Sequence, residues 1–235
     1  MQKMFWIVGM WLVGIASGHA LTPDAPETLT YDVYWGFVRM GGATLTYAPQ
    51  GKAYTLKAEV KDETPLIELH DVWQSKGVHG AEPFEPHVYS VKQAENTYRA
   101  DKTLTFDRKA GTVSFVNNLN PADTAKPIQV GDARDALATI YNWRMGGLDE
   151  VQKPAEVTVV NLKRPVVLRR DAGTRTTLKT GNREYRVWKV NMRTVKDGKP
   201  SKDSWTVYLT DDAKLVPVQV VAATKFGTFR ATLKN

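Results

Sequence analysis

The chain has 235 residues, 42% of them hydrophobic and 24% charged, with 32 Lys+Arg against 25 Asp+Glu for a formal charge of +7, and it has no cysteine. The missing cysteine excludes a disulfide scaffold and a thiol nucleophile. A chain of this length can bury a sizeable core without covalent crosslinks, so packing and strand pairing must hold it together.

The first twenty residues read as a secretory signal. Lys3 supplies a positive start, an apolar run follows from Met4 to Ile15, and Gly18-His19-Ala20 puts small residues at the minus-three and minus-one positions. Cleavage is expected after Ala20, leaving residues 21–235 as a single β-rich domain. The run is shorter than the roughly 20 apolar residues of a spanning helix. Gly9, Gly14 and Gly18 dilute it, and Asp24, Pro26 and Glu27 follow without a basic stop-transfer cluster. No transmembrane segment is expected after cleavage. No cysteine follows the small residues, so a lipid-modified N-terminus is excluded.

Period-two alternation, the mark of half-buried strands, runs through most of the remainder. Tyr31, Val33, Trp35 and Phe37 fall on one face, and Gly41-Gly42 reads as a turn. Tyr54, Leu56, Ala58 and Val60 alternate with Thr55, Lys57, Glu59 and Lys61, the cleanest strand of the chain. A helical or irregular turn opened by Pro65 is expected at Thr64 to His70. Leu104 and Phe106 pair with Val113 and Phe115 across an Arg108-Lys109-Ala110-Gly111 turn. The stretch from Asn117 to Asp132, with Pro121 and Pro127, reads as a loop.

One segment carries helical rather than strand periodicity. Asp132 is the expected N-cap, Asp135 sits near the positive end of the dipole, and Ala133, Ala136, Leu137, Ile140 and Tyr141 form an apolar stripe. Arg144 suits the last turn, and Gly146-Gly147 ends the helix, which is placed near 132–145. Strands then resume. The phase slips between Tyr185 and Met192, where a bulge is expected. Trp205, Val207 and Leu209, then Val216, Val218, Val220 and Ala222, then Phe229, Ala231 and Leu233 supply three more inner faces. Half-buried alternation with short turns predicts antiparallel pairing, and so many strands must curl, close or split. The expected fold is mostly β, a curled antiparallel sheet (a spiral or open barrel) with one inserted helix.

No catalytic signature accompanies this pattern. There is no Gly-x-Ser-x-Gly elbow, phosphate loop or His-Glu-x-x-His sequence. His70, His79 and His87 lie within eighteen residues beside Glu68, Asp71, Glu82 and Glu85, but at spacings that suit no metal site. Glu82 and Glu85 have no feature that would set a glycosidase separation. No enzyme activity, cofactor or metal is expected.

Three sequence landmarks together resemble a known family. They are Asp135-Ala-Leu-Ala-Thr-Ile-Tyr141-Asn-Trp-Arg144, then Trp205-Thr-Val-Tyr-Leu-Thr-Asp211-Asp212-Ala-Lys-Leu-Val-Pro217, and the opening Tyr31-x-Val-x-Trp35 strand with Gly41-Gly42. In combination they resemble the bacterial exported domain of unknown function 3108, over nearly the whole chain beyond residue 20. The resemblance implies a periplasmic location and a curved, barrel-like sheet with an inserted helix. It implies no activity and no catalytic residue.

The remaining hints concern binding. Lys163, Arg164, Arg169, Arg170, Arg175 and Lys179 form a dense basic stretch, either a solvated strand face or a site for an anionic envelope polymer or headgroup. In an exported chain nucleic acid is not the expected partner. Trp35, Trp188 and Trp205 build the core or line an apolar cleft for an acyl chain. Arg144 is a candidate ion-pair partner of Asp135 or Asp211. Candidate ligand-binding residues are therefore Trp35, Trp188, Trp205, Arg144, Arg169 and Arg170. The expected partner is a lipid, a glycan or an envelope protein. An interaction module with a pairing sheet edge and a cell-wall hydrolase are the alternatives.

Overall fold

The computed structural model describes residues 25–62, 68–196 and 198–234, so the expected signal segment lies outside the described residues. Fifteen antiparallel strands form one sheet: β1 (Glu27–Trp35), β2 (Val38–Gln50), β3 (Ala53–Asp62), β4 (Leu69–Val78), β5 (Glu85–Glu95), β6 (Tyr98–Asp107), β7 (Thr112–Asn117), β8 (Ala125–Gln129), β9 (Ala155–Asn161), β10 (Arg164–Arg170), β11 (Thr174–Thr180), β12 (Arg183–Lys196), β13 (Lys199–Thr210), β14 (Pro217–Thr224) and β15 (Gly227–Leu233). The order is β8-β7-β6-β5-β4-β3-β2-β1-β15-β14-β13-β12-β10-β9, with β11 alongside β12.

This order has a simple consequence. The first and last strands pair in the middle, Tyr31 opposite Leu233, while the two edges, β8 and β9, are neighbours in sequence. The chain between them must cross from one edge to the other, so the twisted sheet curls until its edges approach. It does not close. The seam is spanned by a short segment before the helix: Arg134 N–H donates to the Thr158 carbonyl at 3.0 Å, and Val160 N–H donates to that of Arg134 at 2.9 Å.

The connection is filled by helix α1 (Ala136–Met145) and a short α2 (Gly147–Val151). Asp135, not the expected Asp132, caps α1, its carboxylate accepting from Ala138 N–H at 2.8 Å. Asp132 cannot do so because the chain is still extended at Arg134, bound to β9. The expected one-sided stripe is also corrected. Ala136 to Asn142 and Arg144 are all buried, because the helix lies inside the curl with sheet around it.

Inward positions match the alternation for most strands: Tyr54, Leu56, Ala58 and Val60 on β3, Leu104 and Phe106 on β6, Trp205, Val207 and Leu209 on β13. Three expectations fail locally. Gly41-Gly42 is strand, not turn. The β1–β2 hairpin turns at Gly36, φ +58°, leaving Phe37 99% exposed at its tip. Gly41 lies where a Cβ would collide with the Lys61 carbonyl and approach Asp62 Cα to 2.7 Å, so close strand approach rather than a turn calls for glycine there. The phase slip in β12 is no bulge: its pairing with β13 runs unbroken from Val187 to Arg193, and the register shifts only between Arg193 and Val195. Val187 and Trp188 are both buried, so β12 is covered on both faces there. Finally, the Asn117–Asp132 loop contains β8 and a single 3-10 turn at Pro121–Asp123. Of the turn expected at Thr64 to His70, residues 63–67 lie outside the described residues, and β4 has begun by Leu69.

Candidate functional site

Helix α1 is tied into the curl by polar contacts at both ends. At its start, buried Asp135 also accepts a 2.6 Å bond from Ser75 on β4. Burial pushes its carboxyl up to about 6, against the lowering effect of the Ser75 and backbone hydrogen bonds. At its end, Arg144 grips Glu27 on β1 with two bonds of 2.7 Å, and the Tyr141 hydroxyl donates to the same carboxylate at 3.1 Å. This corrects the expected ion pair. Asp135 is bonded to Ser75, and Asp211 pairs with Arg175 at 3.2 Å. Between the two ends, Asn142 and Phe84 exchange reciprocal bonds, Phe84 N–H to Oδ1 at 2.9 Å and Nδ2 to the Phe84 carbonyl at 2.8 Å. These hold the β4–β5 loop against the helix, with Phe84 packed edge-on to Tyr47, Tyr54 and Tyr141.

The seam leaves an open cleft of about 420 Å³ beside the C-terminal half of α1. Its walls are the 81–83 loop, Arg134, Asn142, Trp143, Met145, Gly146, Glu150, and the start of β9 at 155–157. Glu82 pairs with Arg134. Trp143 and Met145 give the cleft an apolar side, and Glu150 and Glu156 a charged one. Behind it lies an apolar cavity of about 30 Å³ bordered by Ile140, Val190, Met192, Val207 and both Arg144 and Arg170. Trp143 lines both spaces.

The structure brings some of the candidate residues together and separates others. Arg144 and Arg170 share the inner cavity. Arg170 is 1% exposed, lies 4.8 Å over the Trp143 ring, and donates through Nη2 to the Glu150 carboxylate (2.9 Å) and to the carbonyls of Glu150 (2.6 Å) and Lys153 (3.1 Å). Arg169 points the other way on β10 and pairs with Glu156 at 2.6 Å. The three tryptophans do not converge. Trp35 stacks on Phe229 and donates to the Phe226 carbonyl at 3.1 Å. Trp188 lies under Arg175, and Trp205 is buried in β13. None of the three lines either space. Five of the six cations of the basic stretch have carboxylate partners: Lys163 pairs with Asp123, Arg169 with Glu156, Arg170 with Glu150, Arg175 with Asp211 and Lys179 with Glu184.

Two features escaped sequence reasoning. Trp143, one of the tryptophans of the chain, is not among the candidate ligand-binding residues read from the sequence. The second feature is a buried carboxyl pair inside the curl: Gln93 Nε2 donates to Asp71 at 2.9 Å and to Glu95 at 3.0 Å, and Ala94 N–H donates to Asp71 at 3.2 Å. Burial, with the hydrogen bond and charge of Asp71 added, pushes Glu95 up to about 9. The signal was available. Asp71 is in phase with Leu69, Trp73 and Ser75, and Gln93 and Glu95 with Val91, so alternation already pointed them inward. Elsewhere, Glu85 accepts from Glu82 N–H at 3.0 Å, and His70 pairs outward with Glu59 at 2.7 Å. Among the described residues no three His, Asp or Glu converge as a metal site.

Comparison with known proteins agrees with this architecture. No curated protein matches the chain. A crystal structure of a β-barrel-like protein of domain of unknown function DUF1849 from Brucella abortus superposes with a TM-score of 0.65 at 11% identity, covering 90% of this chain and 97% of that one. At that identity the likeness is one of fold. The family model described as a protein of unknown function, DUF3108, matches residues 30–234. The chain thus belongs to the DUF3108 family.

Proposed function

We propose that this is an exported, envelope-associated domain that binds a hydrophobic or anionic ligand of the cell envelope in the cleft at its seam. The observation that carries the reading is the cleft itself: about 420 Å³, within the range of small-molecule sites, part apolar and part charged, and built on a helix held at both ends. A site on such a rigid support keeps its shape without a ligand. The pattern of residues 1–20 supports export.

Native mass spectrometry of the protein recovered from the periplasm tests this. A co-purifying acyl or glycan species, lost when Trp143 is replaced by Ala, is the expected result. Recovery of the protein only in the cytoplasm overturns export, and a bare mass after challenge with envelope lipids and glycans overturns ligand binding. A second reading, an interaction module, has one observation in its favour: among the described residues β11 pairs with β12 alone, which leaves its other edge for a partner strand.

A further inference from the structure

Phe37 is the most exposed large apolar side chain among the described residues, and its neighbour Val38 is 61% exposed. The two stand at the tip of the β1–β2 hairpin, beside the turn at Gly36. Hairpin turns ordinarily carry Gly, Asn, Asp or Ser, so an aromatic and a β-branched residue there break the local rule. Packing does not account for Phe37, because a side chain 99% exposed makes almost no contact within the chain.

The tip belongs to a wider rim. Gly36 N–H donates to the Thr228 carbonyl at 2.8 Å, the Trp35 indole N–H to the Phe226 carbonyl at 3.1 Å, and Lys225 N–H to the Asp203 carboxylate at 3.3 Å. The β1–β2, β14–β15 and β12–β13 hairpins thus stand side by side at one end of the sheet. Their turns and flanks carry Arg39, Lys196, Lys199, Lys202 and Lys225 against Asp197 and Asp203. Arg39 is held by Asp32 at 2.7 Å. Lys199, Lys202 and Lys225 are exposed and have no carboxylate partner among the described residues.

From this rim we infer that the protein docks tip-first on an anionic lipid bilayer, with Phe37 and Val38 entering the interface and the three lysines meeting headgroup phosphates. The rim is separate from the cleft. Turns of an antiparallel meander alternate between ends, so the 81–83 wall of the cleft, between β4 and β5, lies at the far end from Phe37. A bilayer fits the rim better than a protein does. One projecting ring and one valine cover far less than the roughly 1,200 Å² of a specific protein interface. Binding to a membrane surface grows with buried apolar area and with attraction to anionic lipid, and the rim supplies both. Lysine suits the position because its long stem lies along apolar surface while the ammonium stays in water. The hydrogen bonds between hairpins hold the tip in place, so docking orders little of the chain.

The test is co-sedimentation of the protein recovered from the periplasm with vesicles of phosphatidylcholine and phosphatidylglycerol in equal parts, and of phosphatidylcholine alone. Binding is expected on the mixed vesicles and should fall steeply as salt is raised. Phe37→Ser should weaken it by about tenfold or more, the worth of burying that ring. Phe37→Trp should keep it, with a blue shift of fluorescence as the indole enters the interface. Lys225→Gln should weaken it by about fivefold. All three variants should melt with the parent. Equal binding to the two vesicle types overturns the role of the lysines, and binding unchanged by Phe37→Ser overturns the apolar tip. No binding to the mixed vesicles overturns the proposal whole and leaves the cleft reading untouched. Self-association without lipid, abolished by Phe37→Ser, makes the occupant a second copy of the chain and overturns the bilayer.

Discussion

Replacing Glu27 by Leu should remove a large part of the protein's stability, and replacing Arg144 by Met as well should restore most of it. Arg144 has a side chain only 1% exposed, and its two bonds of 2.7 Å to Glu27 are its only hydrogen bonds to a carboxylate; Nε already lacks an acceptor. Without Glu27 the guanidinium stays charged inside an apolar curl, and the Tyr141 hydroxyl also loses its acceptor. Breaking a buried ion pair on one side costs about 3–5 kcal/mol. At roughly 2–4 °C per kcal/mol for a domain of this size, the midpoint of thermal unfolding should fall by about 6–20 °C. The Glu27→Leu, Arg144→Met pair removes both charges, and such replacements run from neutral to stabilising by about 1–4 kcal/mol. Differential scanning calorimetry with urea titrations of the four proteins of the cycle measures the coupling directly. A single variant within about 1 kcal/mol of the parent, or a double variant as unstable as the sum of the singles, would refute the argument that charge burial dominates here.

Other consequences are open to direct measurement. Asp135→Ala removes the cap of α1 and the acceptor of Ser75, and should cost about 1–2 kcal/mol in urea unfolding, with Asp135→Asn losing much less. Because Asp135 titrates higher folded than unfolded, the native state binds the extra proton, and stability should fall as pH rises from about 4 through 6; Asp135→Asn should flatten that limb. Glu95 obeys the same sign over a wider window: stability falls from about pH 4.5 toward 9, and Glu95→Gln should remove the slope, readable as a pH series of unfolding midpoints. Gly41→Ala forces β2 away from β3 and should cost about 1–3 kcal/mol, whereas an Ala at Gly36 meets no neighbour and pays only for its positive φ. Equal losses at the two glycines would contradict the close-approach argument.

Much of the site was invisible to local reading for one reason: its partners are far apart in sequence. Arg144 reads as a helix-end cation and a candidate partner of Asp135 or Asp211, but its partner lies 117 residues away on β1. Trp143 cannot be told from the other tryptophans in the sequence until the fold places it on the wall of both cleft and cavity. The tryptophans singled out by composition, Trp35, Trp188 and Trp205, are packed into separate parts of the sheet.

Alternation by itself determined which side chains of most strands point inward, because a strand has a fixed period of two whatever its neighbours. It also held the information for the inward Asp71, Gln93 and Glu95, and helical spacing located α1 to within a turn. Only the tertiary structure decided that the sheet curls without closing, that α1 is buried on every side rather than along one stripe, and that a cleft opens between the 81–83 loop, the end of α1 and the start of β9. Those outcomes follow from the pairing of β1 with β15, which makes two sequence neighbours into the two edges of the sheet. No window of a few residues contains that fact.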